Sequence, residues 1–275
     1  MGNYQDFMTT VRTDMEAGDL NNTILSRRNL LHAGVKGCAT CAAISLGLAS
    51  SHAATATEID GKGYALRFIG NQREAMMMGK RAATLDLRTL KGRPHLYGLG
   101  PLEWLSGEVT IADQRPSLTR IGPDQKLQVT ESYDAGVSFF VWAEVPAWQT
   151  LPVPVGVDTI RNLEAFVGEA GKRNGLTQAF PFLITGSAET VDFHVGNSTP
   201  ETPPGMEAAL RTAVSFTLRR QQAIYVGFWS NQHHGVFTHA DQDIHVHLQT
   251  PDNKVSGHVD ALRFGGEMQL GLPKA

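Results

Sequence analysis

The stretch that most restricts the fold is Asp243-Ile244-His245-Val246-His247-Leu248-Gln249, where polar and apolar residues alternate strictly. Side chains alternate faces along a strand, so Ile244, Val246 and Leu248 share one face and His245 and His247 the other. Pro251-Asp252-Asn253-Lys254 follows with turn-forming residues. A turn centred between Asp252 and Asn253 sets His247 opposite His258 and His245 opposite Asp260. Opposed cross-strand positions hold their Cβ atoms about 4.5–5.5 Å apart, so three imidazoles converge on one point. Three neutral histidines with an open fourth position suit a catalytic zinc ion, although imidazole also takes Cu, Ni or Fe. Asp260 is then placed to orient His245 by accepting its second N–H.

The histidine distribution reinforces that reading. Of ten histidines, six (His233, His234, His239, His245, His247 and His258) fall in the last 43 residues. His233, His234 and His239 precede the strand in a loop after Phe228-Trp229. They are expected either at the mouth of the site, as proton relays or substrate contacts, or as solvated loop residues. His95 and His194 stand apart and read as ordinary structural or surface residues. A net charge of −3 with only 19% charged residues excludes the basic footprint of a nucleic-acid binder. The expected partner is a small-molecule substrate, with a homodimer as an open expectation.

The N-terminus reads as an address. Ser26-Arg27-Arg28-Asn29-Leu30-Leu31 precedes a small-residue segment whose uncharged run, Gly37 to Ser51, has 15 residues. A membrane-spanning helix needs about 20, so the segment is expected to be a signal peptide rather than a stable span. Paired Arg27 and Arg28 resemble a bacterial twin-arginine signal, with Leu30 in place of the usual Phe. Residues 1–53 are then removed, with cleavage near Ala53 or Ala56. Residues 57–275 form the mature domain, exported by the twin-arginine machinery to the periplasm or beyond. Cys38-Ala39-Thr40-Cys41 lies inside the signal, so a redox or zinc role for it is disfavoured and the mature chain carries no cysteine.

The mature part alternates short strands with few helices. Asn71 to Met78 suits a short helix closed by Gly79. Leu96–Gly100, Gly107–Ile111, Val137–Ala143, Phe182–Thr185, Ile224–Trp229 and Asp243–Gln249 read as strands. Asp158 can cap a helix whose apolar positions are Ile160, Leu163, Phe166, Val167 and Ala170, ended by Asn174-Gly175. The segment 197–205 is rich in Pro, Ser and Thr and is the best candidate for a loop or sub-boundary. Ala65-Leu66-Arg67-Phe68 recurs as Ala261-Leu262-Arg263-Phe264, which is too short by itself to mark a duplicated module. Strands outnumber helices, so the class is α+β with largely antiparallel sheets.

His245-x-His247 with His258 in Gly257-His258-Val259-Asp260 resembles the metal site of the α-acetolactate decarboxylase family. Ile224-Tyr225-Val226-Gly227-Phe228-Trp229 looks like that family's strand leading into the site. Gly79 through Thr84-Leu85, Tyr97-Gly98-Leu99-Gly100 and Leu105-Ser106-Gly107-Glu108 are similar to its N-terminal pattern, which ends in L-D-G-E. The resemblance implies two mixed or antiparallel β-sheet modules with few helices, a zinc ion, and conversion of 2-acetolactate to acetoin. It also implies that Glu108 assists proton delivery. In two places the chain departs from the family. Leu183 aligns where the family carries a substrate-binding arginine. The chain ends at Leu272-Pro273-Lys274-Ala275, without the family's C-terminal glutamate, and Glu267 lies too early to replace it. These departures keep two alternatives in view, a zinc-dependent ester hydrolase of the same broad fold and a non-catalytic periplasmic metal-binding protein.

Overall fold

The computed structural model of the protein describes residues 55–274. The expectations for Arg27, Arg28, Cys38, Cys41 and the Ala53 cleavage point fall outside them. The described residues lie within one compact unit. No helix among the described residues is long and apolar enough to cross a membrane.

Fourteen strands, β1 to β14, follow one another in chain order: Thr57–Gly61, Tyr64–Ile69, Leu85–Asp86, Leu96–Pro101, Glu108–Ala112, Arg115–Ile121, Leu127–Thr130, Gly136–Val137, Phe140–Glu144, Trp148–Pro152, Phe180–Val195, Val214–Trp229, Ile244–Gln249 and Ser256–Pro273. Among the described residues three α-helices interrupt them: α1 (Gln72–Met78), α2 (Ile160–Arg173) and α3 (Met206–Thr212). Seven strands form one sheet in the order β1-β2-β9-β4-β5-β6-β7. Five form a second, β10-β14-β11-β12-β13, and β13 also pairs with β14. That extra pairing closes β11, β12, β13 and β14 into a small barrel. Every ladder between named strands is antiparallel. The two copies of Ala-Leu-Arg-Phe lie in different sheets, on β2 and β14.

Local chemistry explains the elements. Asn71 caps α1 by accepting the Glu74 N–H, and Gly79 ends it at φ 71°, a left-handed conformation that glycine adopts without penalty. At α2 the cap is Thr159 instead of the expected Asp158: its hydroxyl accepts the Asn162 N–H at 3.1 Å. Asp158 sits one residue early and holds the Asn162 side chain instead. Leu163, Val167 and Ala170 recur at helical spacing and are buried. The segment 197–205 is the connection between β11 and α3, tied back where the Gly205 N–H donates to the Met76 carbonyl at 2.8 Å.

Both faces of the seven-stranded sheet are covered. On β5, Val109 and Ile111 point into one apolar cluster with Leu96, Leu118 and Trp142. Alternation turns Glu108, Thr110 and Ala112 to the opposite face, where Ala112 joins a larger cluster with Phe182, Val226 and Leu248 of the barrel. Glu108 and Thr110 are therefore polar groups buried at the junction of the two sheets. That junction is where the histidines lie.

Candidate metal centre

β13 carries His245 and His247 on the face turned toward β5. The hairpin register is the expected one: His247 pairs with His258, Leu248 with Gly257 and Gln249 with Ser256. Thr250 and Val255 close the turn with a 2.9 Å backbone bond. The histidines do not lie on an outer surface, since His245, His247 and His258 are 3%, 0% and 5% exposed. His258 is the hub. Its ring centroid lies 4.9 Å from that of His245, 5.3 Å from His247, 4.9 Å from His239 and 4.7 Å from His194.

Backbone carbonyls set the tautomers. A carbonyl only accepts, so the 3.0 Å contact from His247 Nδ1 to the Val109 oxygen places the proton on Nδ1. The 2.7 Å contact from His245 Nδ1 to the Phe237 oxygen does the same. Each ring then turns an Nε2 lone pair inward. That of His245 faces His258 Nδ1 at 3.1 Å, and His258 Nε2 faces His239 Nε2 at 3.1 Å. Gln72 closes the series with its side-chain amide nitrogen 3.2 Å from His239 Nδ1.

Burial keeps these rings neutral. It drives His239 down to about 4 and His247 down to about 3, with nearby cationic imidazole adding to the effect. His245 and His258 fall well below the ordinary value for the same reasons. Neutral imidazole is the form that binds a metal. The donor set fits a divalent ion on a further observation: among the described residues, the buried Nε2 of His247 has no hydrogen-bond partner. A buried nitrogen without a partner is costly, and a metal ion satisfies it.

Glu108 faces this nitrogen, with Oε2 3.7 Å from His247 Nε2. Burial pushes its carboxyl up to about 7, against the charge of His194 and the Gly196 N–H, which donates to Oε1 at 3.2 Å. Gly196 permits this approach, because a Cβ there would stand 2.7 Å from the Leu105 carbonyl and 3.2 Å from Oε1 itself. Just upstream, Trp104 and Leu105 adopt φ 63° and 56°. Two consecutive non-glycine residues in this region are strained, and they deliver the chain into Glu108.

Asp260 differs from expectation. The β13–β14 ladder ends at the His247–His258 pair, and β14 then runs along β11 through a bulge near Asp192 and Phe193. Asp260 Oδ1 accordingly takes His194 Nδ1 at 2.8 Å, and His245 is oriented by the Phe237 carbonyl instead. His194, expected to be ordinary, is a buried member of the cluster. Burial disfavours its charge, but Asp260 and Glu108 outweigh burial and raise its pKa. One sequence signal pointed there: Val191, Phe193 and Val195 alternate with Asp192 and His194.

The loop histidines divide. His239 joins the cluster, whereas His233 bonds Ser230 at 2.8 Å and stacks on Phe237. His234 pairs with Asp243 at 2.6 Å. Leu183 is 9% exposed and pairs with Val226 and Gly271 in the apolar core.

Comparisons with known proteins bear on the family and the fold. The sequence profile described as Alpha-acetolactate decarboxylase matches residues 69–274. A Staphylococcus aureus protein of unknown function, described as similar to alpha-acetolactate decarboxylase, superposes with a TM-score of 0.60 at 16% identity, over 74% of this chain and 82% of its own. Alpha-acetolactate decarboxylase from Bacillus subtilis strain 168 gives 0.56 at 15% identity, over 71% and 80%. No curated protein matches the chain by sequence. The profile spans most of the chain and includes every residue of the cluster, and the chain belongs to the alpha-acetolactate decarboxylase family.

Proposed function

We propose that the protein is a metal-dependent decarboxylase of 2-acetolactate, or of a related 2-hydroxy-3-oxo acid, releasing carbon dioxide and acetoin or its analogue. The observation that carries this reading is the bare, buried Nε2 of His247 facing a carboxyl whose pKa burial pushes up to about 7. A purely metal-storing site has no use for such a carboxyl. His245, His247 and His258 would hold the ion, most simply zinc. When bound, the ion supplies a Lewis acid for the negative charge that loss of carbon dioxide leaves on the substrate's carbonyl oxygen.

The remaining work belongs to the chain's own groups. Glu108 carries a proton near neutral pH and delivers it to the carbon that has lost carbon dioxide. Its carboxylate then accepts the Gly196 N–H and faces the positive field of His194 until water reprotonates it. Burial of His245, His247, His258 and Glu108 limits bulk water at the site.

Metal-loaded protein given 2-acetolactate is expected to yield acetoin. Glu108→Gln should lower kcat by about 10²-fold or more with the metal retained, and His247→Ala should lose both metal and activity. Acetoin no faster than the uncatalysed background ends this reading, and full turnover by Glu108→Gln ends the role of the carboxyl.

We also propose export by the twin-arginine route, on the strength of Arg27-Arg28 and the short uncharged segment after them. Replacing both arginines by lysine should hold the uncleaved precursor in the cytoplasm. Unchanged periplasmic delivery overturns the proposal.

A further inference from the structure

We infer that His239 is a fourth imidazole ligand to the metal, donated by the loop between β12 and β13. The inference rests on the metal-dependent reading above and adds a ligand to it. His239, His245 and His258 each offer one nitrogen, and these three atoms lie within 4.8 Å of one another. An ion that reaches nitrogen at about 2.0–2.1 Å spans at most about 4.2 Å between opposed ligands. These three nitrogens, with His247 outside the set, must draw together by about 0.6 Å or more to share one ion.

The loop is built to hold His239 there. Its first part is pinned to the start of α1, where the Gln72 and Arg73 N–H groups donate to the Val236 and Gly235 carbonyls at 2.9 and 2.8 Å. Gln72 itself is 5% exposed and touches His239 Nδ1 through its side-chain amide. An amide carries both a donor and an acceptor, so it can partner His239 in either tautomer. His239 can therefore turn a lone pair on Nε2 toward His258 and the metal while Nδ1 keeps its partner. This is the arrangement of a metal-binding histidine oriented from its outer nitrogen.

A fourth imidazole changes what the ion can do. It fills a tetrahedral sphere, whereas an ion that accepts six donors keeps two positions for substrate oxygens.

The test uses the full chain loaded with cobalt(II), comparing wild type, His239→Ala and His239→Gln. Imidazole ligands are counted by X-ray absorption, and Kd is measured by chelator competition. Wild type is expected to show four imidazoles and both variants three. Loss of an outer partner weakens metal binding about 10–100-fold, and loss of a ligand should weaken it at least as much. Circular dichroism confirms that the variants fold, and the conservative Gln variant preserves the loop's hydrogen bonding. Three imidazoles in wild type, with Kd unchanged in the variants, overturns the fourth ligand and leaves the metal-dependent reading standing. Four imidazoles without acetoin formation supports the ligand and removes the proposed activity. No cobalt binding by wild type overturns both.

Discussion

His247 is the residue at which burial and hydrogen bonding oppose each other most sharply. One nitrogen is satisfied by the Val109 carbonyl and the other is bare in a water-poor interior. Protonation would relieve the bare nitrogen, but burial holds the ring at about 3. The same holds, in direction, for His239, His245 and His258. In the unfolded chain all four titrate near the ordinary 6.5. Between 6.5 and about 4 the unfolded state thus binds more protons than the metal-free folded state, and stability falls as pH drops. Glu108 works the other way, since its raised value lets the folded state bind a proton that the unfolded state releases above about 4.5. His194, raised, is protonated in both states below 6.5 and adds no slope there. Four groups against one leave a net loss, each contributing up to about 1.4 kcal/mol per pH unit. The urea midpoint of the chelator-treated chain is expected to fall clearly from pH 7.5 to pH 5.5, and a flat profile would contradict the buried neutral cluster.

At the scale of elements, the hairpin β13–β14 was legible because a period-two pattern leaves few choices. One face must be Ile244, Val246 and Leu248, and a turn around Asp252-Asn253 then fixes which residue opposes His247. The same arithmetic failed two residues further on. It assumed that β14 keeps pairing with β13, whereas β14 parts from it and runs along β11 through a bulge. A bulge inserts a residue without any mark in hydrophobic periodicity, so Asp260 was assigned to His245 and belongs with His194. The length of β11 was hidden for a related reason. Polar residues Ser187, Glu189 and Thr190 break the apolar run after Thr185, although the strand continues to Val195. Glu108 was found through its motif, while its chemistry depends on contacts across the fold. Its partner Gly196 comes from a residue far along the chain, and its burial comes from the junction of two sheets. No local pattern reports either one.

The whole molecule uses the histidine cluster as a joint. β13 and β14 supply three rings, the β12–β13 loop supplies His239, β11 supplies His194, and β5 of the other sheet seals the floor with Glu108, Val109 and Thr110. A metal that binds this joint favours the folded chain, because unfolding separates His258 from His245, 13 residues away. Binding then adds stability by mass action, about 2.7 kcal/mol at a hundredfold excess of free metal over Kd. For a domain of this size, each kcal/mol raises Tm by about 2–4 °C. Loading the purified chain should raise its melting temperature by about 5–10 °C, and a chelator should reverse the gain. The gain should persist at pH 5.5, because the rings that bind the metal are already neutral in the folded chain at that pH. An equal rise in His247→Ala would place the metal elsewhere on the protein, since that variant removes a buried nitrogen that has no hydrogen-bond partner among the described residues.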